Sequence, residues 1–126
     1  MAKRPGNSIG CTMKTYLVLF REPDGRLNPH TDDEIKEHRA NWQIWQDELV
    51  ANGQLLGGNA LTLNGAVIGP QTNGQTINYG PYYVNQTEMV GGYLVIKAKD
   101  IDGATRAIKA CPVFDFGAFA EIREMI

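Results

Sequence analysis

One amphipathic helix constrains this chain more than any other feature. Ile35, Trp42, Trp45 and Leu49 recur at alternating three- and four-residue steps, the spacing that places side chains on one helix face, and His38 falls in the same register. The imidazole is therefore expected to point inward, where it can pass protons, bind an anion or simply bond a backbone carbonyl. Thr31 supplies a cap and Glu34 closes a capping box, while Asp32, Asp33 and Glu34 suit the positive end of the helix dipole. Asn52-Gly53 provides a left-handed stop, so the helix is expected to end near Ala51.

The segments around this helix read mostly as strands. Lys14 to Phe20 is β-rich, and Arg21 to His30, with Pro23, Asp24-Gly25, Asn28 and Pro29, reads as a turn-rich connection. Gln54 to Leu61 reads as a short strand whose Gly57-Gly58 pair allows close backbone approach or a bulge. Asn64-Gly65 and Asn73-Gly74 are hairpin signals, which makes Ala66 to Gly69 and Gln75 to Tyr79 short strands of a meander. Gly92 to Ala98 is the clearest buried strand. A second helix is expected from Asp100 or Asp102 to about Ala110, with Ile101, Ala104, Ile108 and Cys111 on one face, ended by Pro112. Ala118 to Met125 reads as a last strand, with Ala120 and Ile122 on one side and Glu121 and Arg123 on the other.

This order is a β-α-β-β-α-β plan with an extra hairpin between the second and third core strands, an α+β, ferredoxin-like sandwich. Two helices cover only one face of such a sheet, so the other must meet solvent, a ligand or a second subunit. A homodimer joined through that face is expected, because several tyrosines and valines would otherwise form an exposed apolar patch.

Composition narrows the function. The 126 residues are 43% hydrophobic, enough for one domain from Met13 to Ile126 behind a flexible leader of residues 1–12. A formal charge of -2 and a pI near 5.6 provide no basic face for nucleic acid. The longest apolar runs are strand-sized and the leader lacks a hydrophobic stretch, so no membrane span or signal peptide is expected and the location is read as cytoplasmic. The two cysteines, Cys11 and Cys111, form neither a disulfide framework nor a C-x-x-C pair, and with two histidines a dedicated zinc site is not expected. The Gly57-Gly58 and Gly91-Gly92 pairs lack the context of a phosphate cradle, and no cofactor is expected.

The second half carries an ordered set of short motifs: Gly80-Pro81-Tyr82, Glu88 to Tyr93 opening a buried strand, Ala110-Cys111-Pro112 and a closing Glu121-Ile122-Arg123. In this order they resemble the YCII-related family, in particular its branch named for an Asp-Gly-Pro-Phe motif, and the likeness covers Met13 to Ile126. The resemblance implies a dimeric α/β-barrel arrangement, two sheets packed around a cavity. It also implies a role for a histidine and an aspartate that approach each other there; a few members are linked to ring-cleavage product metabolism, and some are fused to sigma-factor domains. In this chain Tyr79 and Tyr82 stand at the Asp and Phe positions of the name motif, and Cys111 stands where the aspartate is expected.

The candidate catalytic residues are accordingly His38, as general acid or base, and Cys111, as a thiol beside an imidazole or simply as a small buried residue. Tyr82, Glu121 and Arg123 are the candidate substrate-binding residues; Glu121 and Arg123 read equally as a cross-strand ion pair. Two functions stand: a small-molecule enzyme acting on an oxygenated organic substrate, and a non-catalytic sensing or transcription-associated dimeric module. An oxygenase on the same fold has fold analogy alone behind it.

Overall fold

The computed structural model describes residues 12–23, 30–72, 74–80 and 88–126. Tyr82, Tyr83, residues 24–29 of the expected turn-rich connection, Asn73 and nearly all of the leader lie outside the described residues.

Four strands make the main sheet: β1 (Lys14–Pro23), β2 (Leu55–Ala60), β5 (Glu88–Ala98) and β6 (Phe119–Glu124), in the order β2-β5-β1-β6. All three pairings are antiparallel. With α1 (Asp32–Ala51) after β1 and α2 (Ile101–Ile108) after β5, this is the ferredoxin-like β-α-β-β-α-β plan. The inserted strands β3 (Ala66–Ile68) and β4 (Ile77–Tyr79) pair only with each other, so they form a separate hairpin and not a meander continuous with β2.

Helix α1 begins and ends where its caps dictate. The Thr31 hydroxyl accepts the Glu34 N–H at 3.1 Å, and the Glu34 carboxylate accepts the Thr31 N–H at 2.8 Å. These bonds hold the Glu34 carboxyl below its usual range. Helix α2 is capped at Asp100, whose carboxylate accepts the Gly103 N–H at 2.7 Å.

The core lies between the helices and one sheet face. Strand alternation sends Tyr16, Val18 and Phe20 of β1 and Leu94, Ile96 and Ala98 of β5 inward to meet Trp45 and Leu49 of α1 and Ala104 and Ile108 of α2. Ile101 is the exception on the α2 stripe, since it sits at the first helical position and remains exposed. Ala120 and Ile122 pack against this core, opposite Phe20 and Val18 respectively. A 3-10 turn at Pro112–Phe116 follows α2 and buries Pro112 and Val113. Helix and sheet expectations survive with one consequential change: β1 continues past Phe20 to Pro23, and β5 starts at Glu88 and not Gly92. Each extension exists because the other pairs with it, Arg21 with Val90 and Glu22 with Met89.

Candidate active site

A cavity of about 670 Å³ lies between α1 and the sheet, bounded by β1, β2 and β5. Phe20, Trp42 and Leu55 make it apolar, and Glu22, His38 and Arg39 give it polar groups. A cavity of this size with few polar groups matches the usual form of a small-molecule site.

Glu22 reaches the cavity through the inward phase of β1. It continues the Tyr16, Val18, Phe20 alternation, and the pairing slips just before it: Phe20 faces Gly92, Arg21 faces Val90, and Gly91 has no partner. Burial pushes the Glu22 carboxyl above the ordinary glutamate range. Among the described residues its carboxyl makes no ion pair or hydrogen bond that would offset that cost.

His38 is half-buried on the cavity side of α1, one helical turn before Trp42. The Trp42 indole N–H donates to His38 Nε2 at 2.8 Å. Phe116 stacks on the imidazole with centroids 4.3 Å apart, and His30 stacks on Phe116 at 3.9 Å. Burial lowers the His38 pKa; Asp115 opposes the shift and His30 adds to it. The result is a neutral imidazole near neutral pH.

The other sequence candidates lie elsewhere. Cys111 is buried and lines a second, shallower cavity with Trp45, Glu48 and Asp115. Its Sγ accepts the Val113 N–H at 3.4 Å, capping the 3-10 turn, and burial pushes the thiol up to about 12. A thiol held protonated in this way is a poor nucleophile. Glu121 and Arg123 occupy the sheet face opposite the helices, opposite Leu19 and Leu17 in the β1–β6 register. They contact each other at 3.4 Å, and Glu121 also meets Arg21, which pairs with Glu88 at 3.0 Å. Tyr82 lies outside the described residues.

Among the described residues no group of three or more His, Cys, Asp or Glu is placed to hold a metal ion. No described helix is long and apolar enough to cross a membrane.

Sequence reasoning missed Glu22. A signal existed in the period-two pattern running from Tyr16 through Phe20, which places the next inward side chain at residue 22. The turn residues that follow, Pro23 and Asp24-Gly25, outweighed it.

An antiparallel α+β sandwich with a cavity between α1 and the sheet defines the class of fold, and the sequence comparison supplies the family. Residues 14–125 match the YCII-related domain, nearly the whole chain, and the chain belongs to that family. No curated protein matches it.

Proposed function

We propose that this protein is a small-molecule enzyme that moves a proton on a carbonyl-containing substrate bound between α1 and the sheet. The observation that carries the reading is the Glu22 carboxyl, half-buried, raised in pKa and without a partner among the described residues, in the same cavity as a neutral histidine. Desolvated carboxyl groups of this kind are matched to acid–base work near neutral pH. In the proposed step the Glu22 carboxylate takes a proton from the carbon beside the carbonyl. The C–H electron pair shifts toward the carbonyl oxygen, where a donor from His38 stabilises the developing charge, and the Glu22 carboxyl then returns the proton. General acid–base catalysis of this type contributes about 10² to 10⁴-fold.

A homodimer joined through the uncovered sheet face belongs to the same proposal. Leu17, Leu19, Tyr93 and Val95 are only half-buried there, and Phe119 at its edge is 56% exposed. The alternative, a ligand-sensing module without catalysis, would use the same cavity and leave the Glu22 proton in place.

The test is solvent hydrogen exchange into small enolisable carbonyl compounds, 2-butanone and 2-oxobutyrate among them, followed by NMR in deuterated buffer. Catalysed exchange that disappears in Glu22→Gln supports the enzyme. Binding that shifts the Glu22 and His38 resonances without exchange in any compound supports the sensing module.

A further inference from the structure

We infer that Trp42 is a positioning residue: its indole N–H, donated to Nε2, holds His38 as the Nδ1–H tautomer, so the imidazole offers a ligand a hydrogen-bond donor and not a basic nitrogen. This inference deepens the proposed function and rests on it for its catalytic meaning, while the tautomer itself can be read without any ligand.

The chemistry of the two rings fixes the direction of the bond. An indole nitrogen can only donate, and each nitrogen of a neutral imidazole is either donor or acceptor. A 2.8 Å approach of Trp42 Nε1 therefore makes Nε2 the acceptor and leaves the single ring proton on Nδ1. Protonating Nε2 as well would set two N–H groups against each other. The hydrogen bond and the burial of the ring thus oppose the imidazolium together.

Both rings are held against rotation. The Trp42 ring meets Phe20 edge-on, with centroids 5.2 Å apart at 86°, and meets Trp45 at 5.4 Å and 85°. The His38 ring lies nearly perpendicular to Trp42 at 78° and stacks on Phe116 at 24°. Swinging either ring sacrifices at least one of these contacts. Among the described residues Nδ1 has no hydrogen-bond partner.

The charged and titratable groups around the pair come from several elements. Asp115 of the 3-10 turn favours the imidazolium and His30, just ahead of α1, disfavours it. Glu22 of β1 and Arg39 of α1 share the cavity. With Nε2 engaged, His38 is left without a free basic nitrogen and Glu22 becomes the proton acceptor of the pair. A carboxylate base opposite a neutral imidazole donor is a division of labour suited to polarising a carbonyl. The sequence has nothing to show this, because a tryptophan four residues after a histidine on an apolar stripe reads as core.

The test is NMR on the uniformly ¹⁵N-labelled full chain at pH 8, without ligand, with the His38 signals assigned by their loss in His38→Asn. The expected spectrum has a pyrrole-type shift at Nδ1, a pyridine-type shift at Nε2, and a coupling across the hydrogen bond between Trp42 Nε1 and His38 Nε2. Trp42→Phe keeps an aromatic ring and removes the donor, so the Nε2–H tautomer should gain population and the His38 titration midpoint should move upward. A wild-type Nε2 carrying the proton, an absent coupling, or an unchanged tautomer in folded Trp42→Phe overturns the inference. If Trp42→Phe does not fold, the wild-type coupling and shifts alone decide. Failure of hydrogen exchange into carbonyl compounds would remove the enzyme reading and leave the tautomer result standing, so the two failures are distinguishable.

Discussion

Glu22 lies against Gly91 so closely that a Cβ placed on Gly91 would collide with the Glu22 carboxylate. Gly91 is also the residue left out of the β1–β5 pairing, and its missing side chain clears the space into which the alternation of β1 directs Glu22. Gly91→Ala should displace the carboxylate at little cost in stability, because the atoms that must give way are the far end of the flexible Glu22 side chain and not packed backbone. The displaced group should regain water and titrate closer to an ordinary glutamate. Urea denaturation and a ¹³C titration of the Glu22 carboxyl check both outcomes; an unchanged titration would mean that Gly91 does not set its environment.

Glu22 also makes stability depend on pH in a definite direction. Its folded pKa is raised by burial, so between the unfolded and folded values the native state holds a proton that the unfolded chain has released. The cost of keeping Glu22 buried therefore appears as pH rises through the ordinary glutamate value and reaches its full size above the raised one. Glu22→Gln removes that cost. The variant should gain stability over the wild type at pH 7.5, and the gain should shrink as pH falls below the ordinary glutamate range. Denaturation curves for both proteins at several pH values would expose the opposite trend.

The elements whose signals are local were legible in the sequence. Thr31, Glu34 and the stripe from Ile35 to Leu49 fix α1, and the pattern of Ala120 and Ile122 against Glu121 and Arg123 fixes the facing of β6. What escaped was set by pairing between segments distant in the chain. Arg21 to Pro23 is extended because it finds Glu88 to Val90, and neither stretch has enough β-branched character to announce a strand alone. The Gly57-Gly58 pair was legible as a place of close backbone approach or a bulge, and both are found there: Leu56 is skipped between Leu55 and Gly57 in the β2–β5 register. Gly58 has a φ of 155°, and a Cβ there would fall 2.5 Å from the Tyr93 carbonyl oxygen and from Leu94. Half of the candidate site was therefore visible as His38. The other half, Glu22, lay one step beyond the period-two pattern of Tyr16 to Phe20, and the strand reaches it only because Glu88 to Val90 pairs there.

Trp42 and Trp45 look alike in the sequence stripe and should behave differently. Trp45 is 5% exposed and donates its indole N–H to the Ala107 carbonyl at 3.3 Å, whereas Trp42 is half-buried at the cavity wall. Trp45→Ala should cost about 3 to 5 kcal/mol, the range for emptying an aromatic site in a core. Trp42→Ala should cost less, roughly 1 to 3 kcal/mol, while changing the His38 titration. Equal losses in chemical denaturation would show that the cavity wall is packed as tightly as the core.

Cys111 should be chemically silent in the folded protein. With its thiol pushed up to about 12 by burial, almost no thiolate exists at neutral pH, and the sulfur is occupied in capping the turn at Val113. Iodoacetamide at pH 7.5 should leave Cys111 unmodified in native protein and alkylate it in urea, as peptide mass spectrometry would report. Cys111→Ser should retain any activity, because serine also accepts the Val113 N–H. Rapid native alkylation together with loss of activity in Cys111→Ser would return Cys111 to the catalytic candidates.

The uncovered sheet face supplies the last expectation. Across it, Leu17 lies between Arg123 and Val95, and Leu19 lies between Glu121 and Tyr93, so an apolar centre is edged on one side by the Arg21, Glu121 and Arg123 charges. An apolar centre edged by charge is the usual anatomy of an interface, and two identical chains that meet through the same face close most simply as a two-fold dimer. Light scattering at micromolar concentration should report a dimer. Leu17→Lys should place two like charges near the interface and shift the protein to monomer with its far-UV circular dichroism unchanged, since this side chain points away from the helix-side core. A wild-type monomer would overturn the dimer, and a Leu17→Lys protein that remains dimeric would place the interface elsewhere, the exposed β3–β4 hairpin with Val67, Ile68 and Tyr79 being the next apolar surface to test.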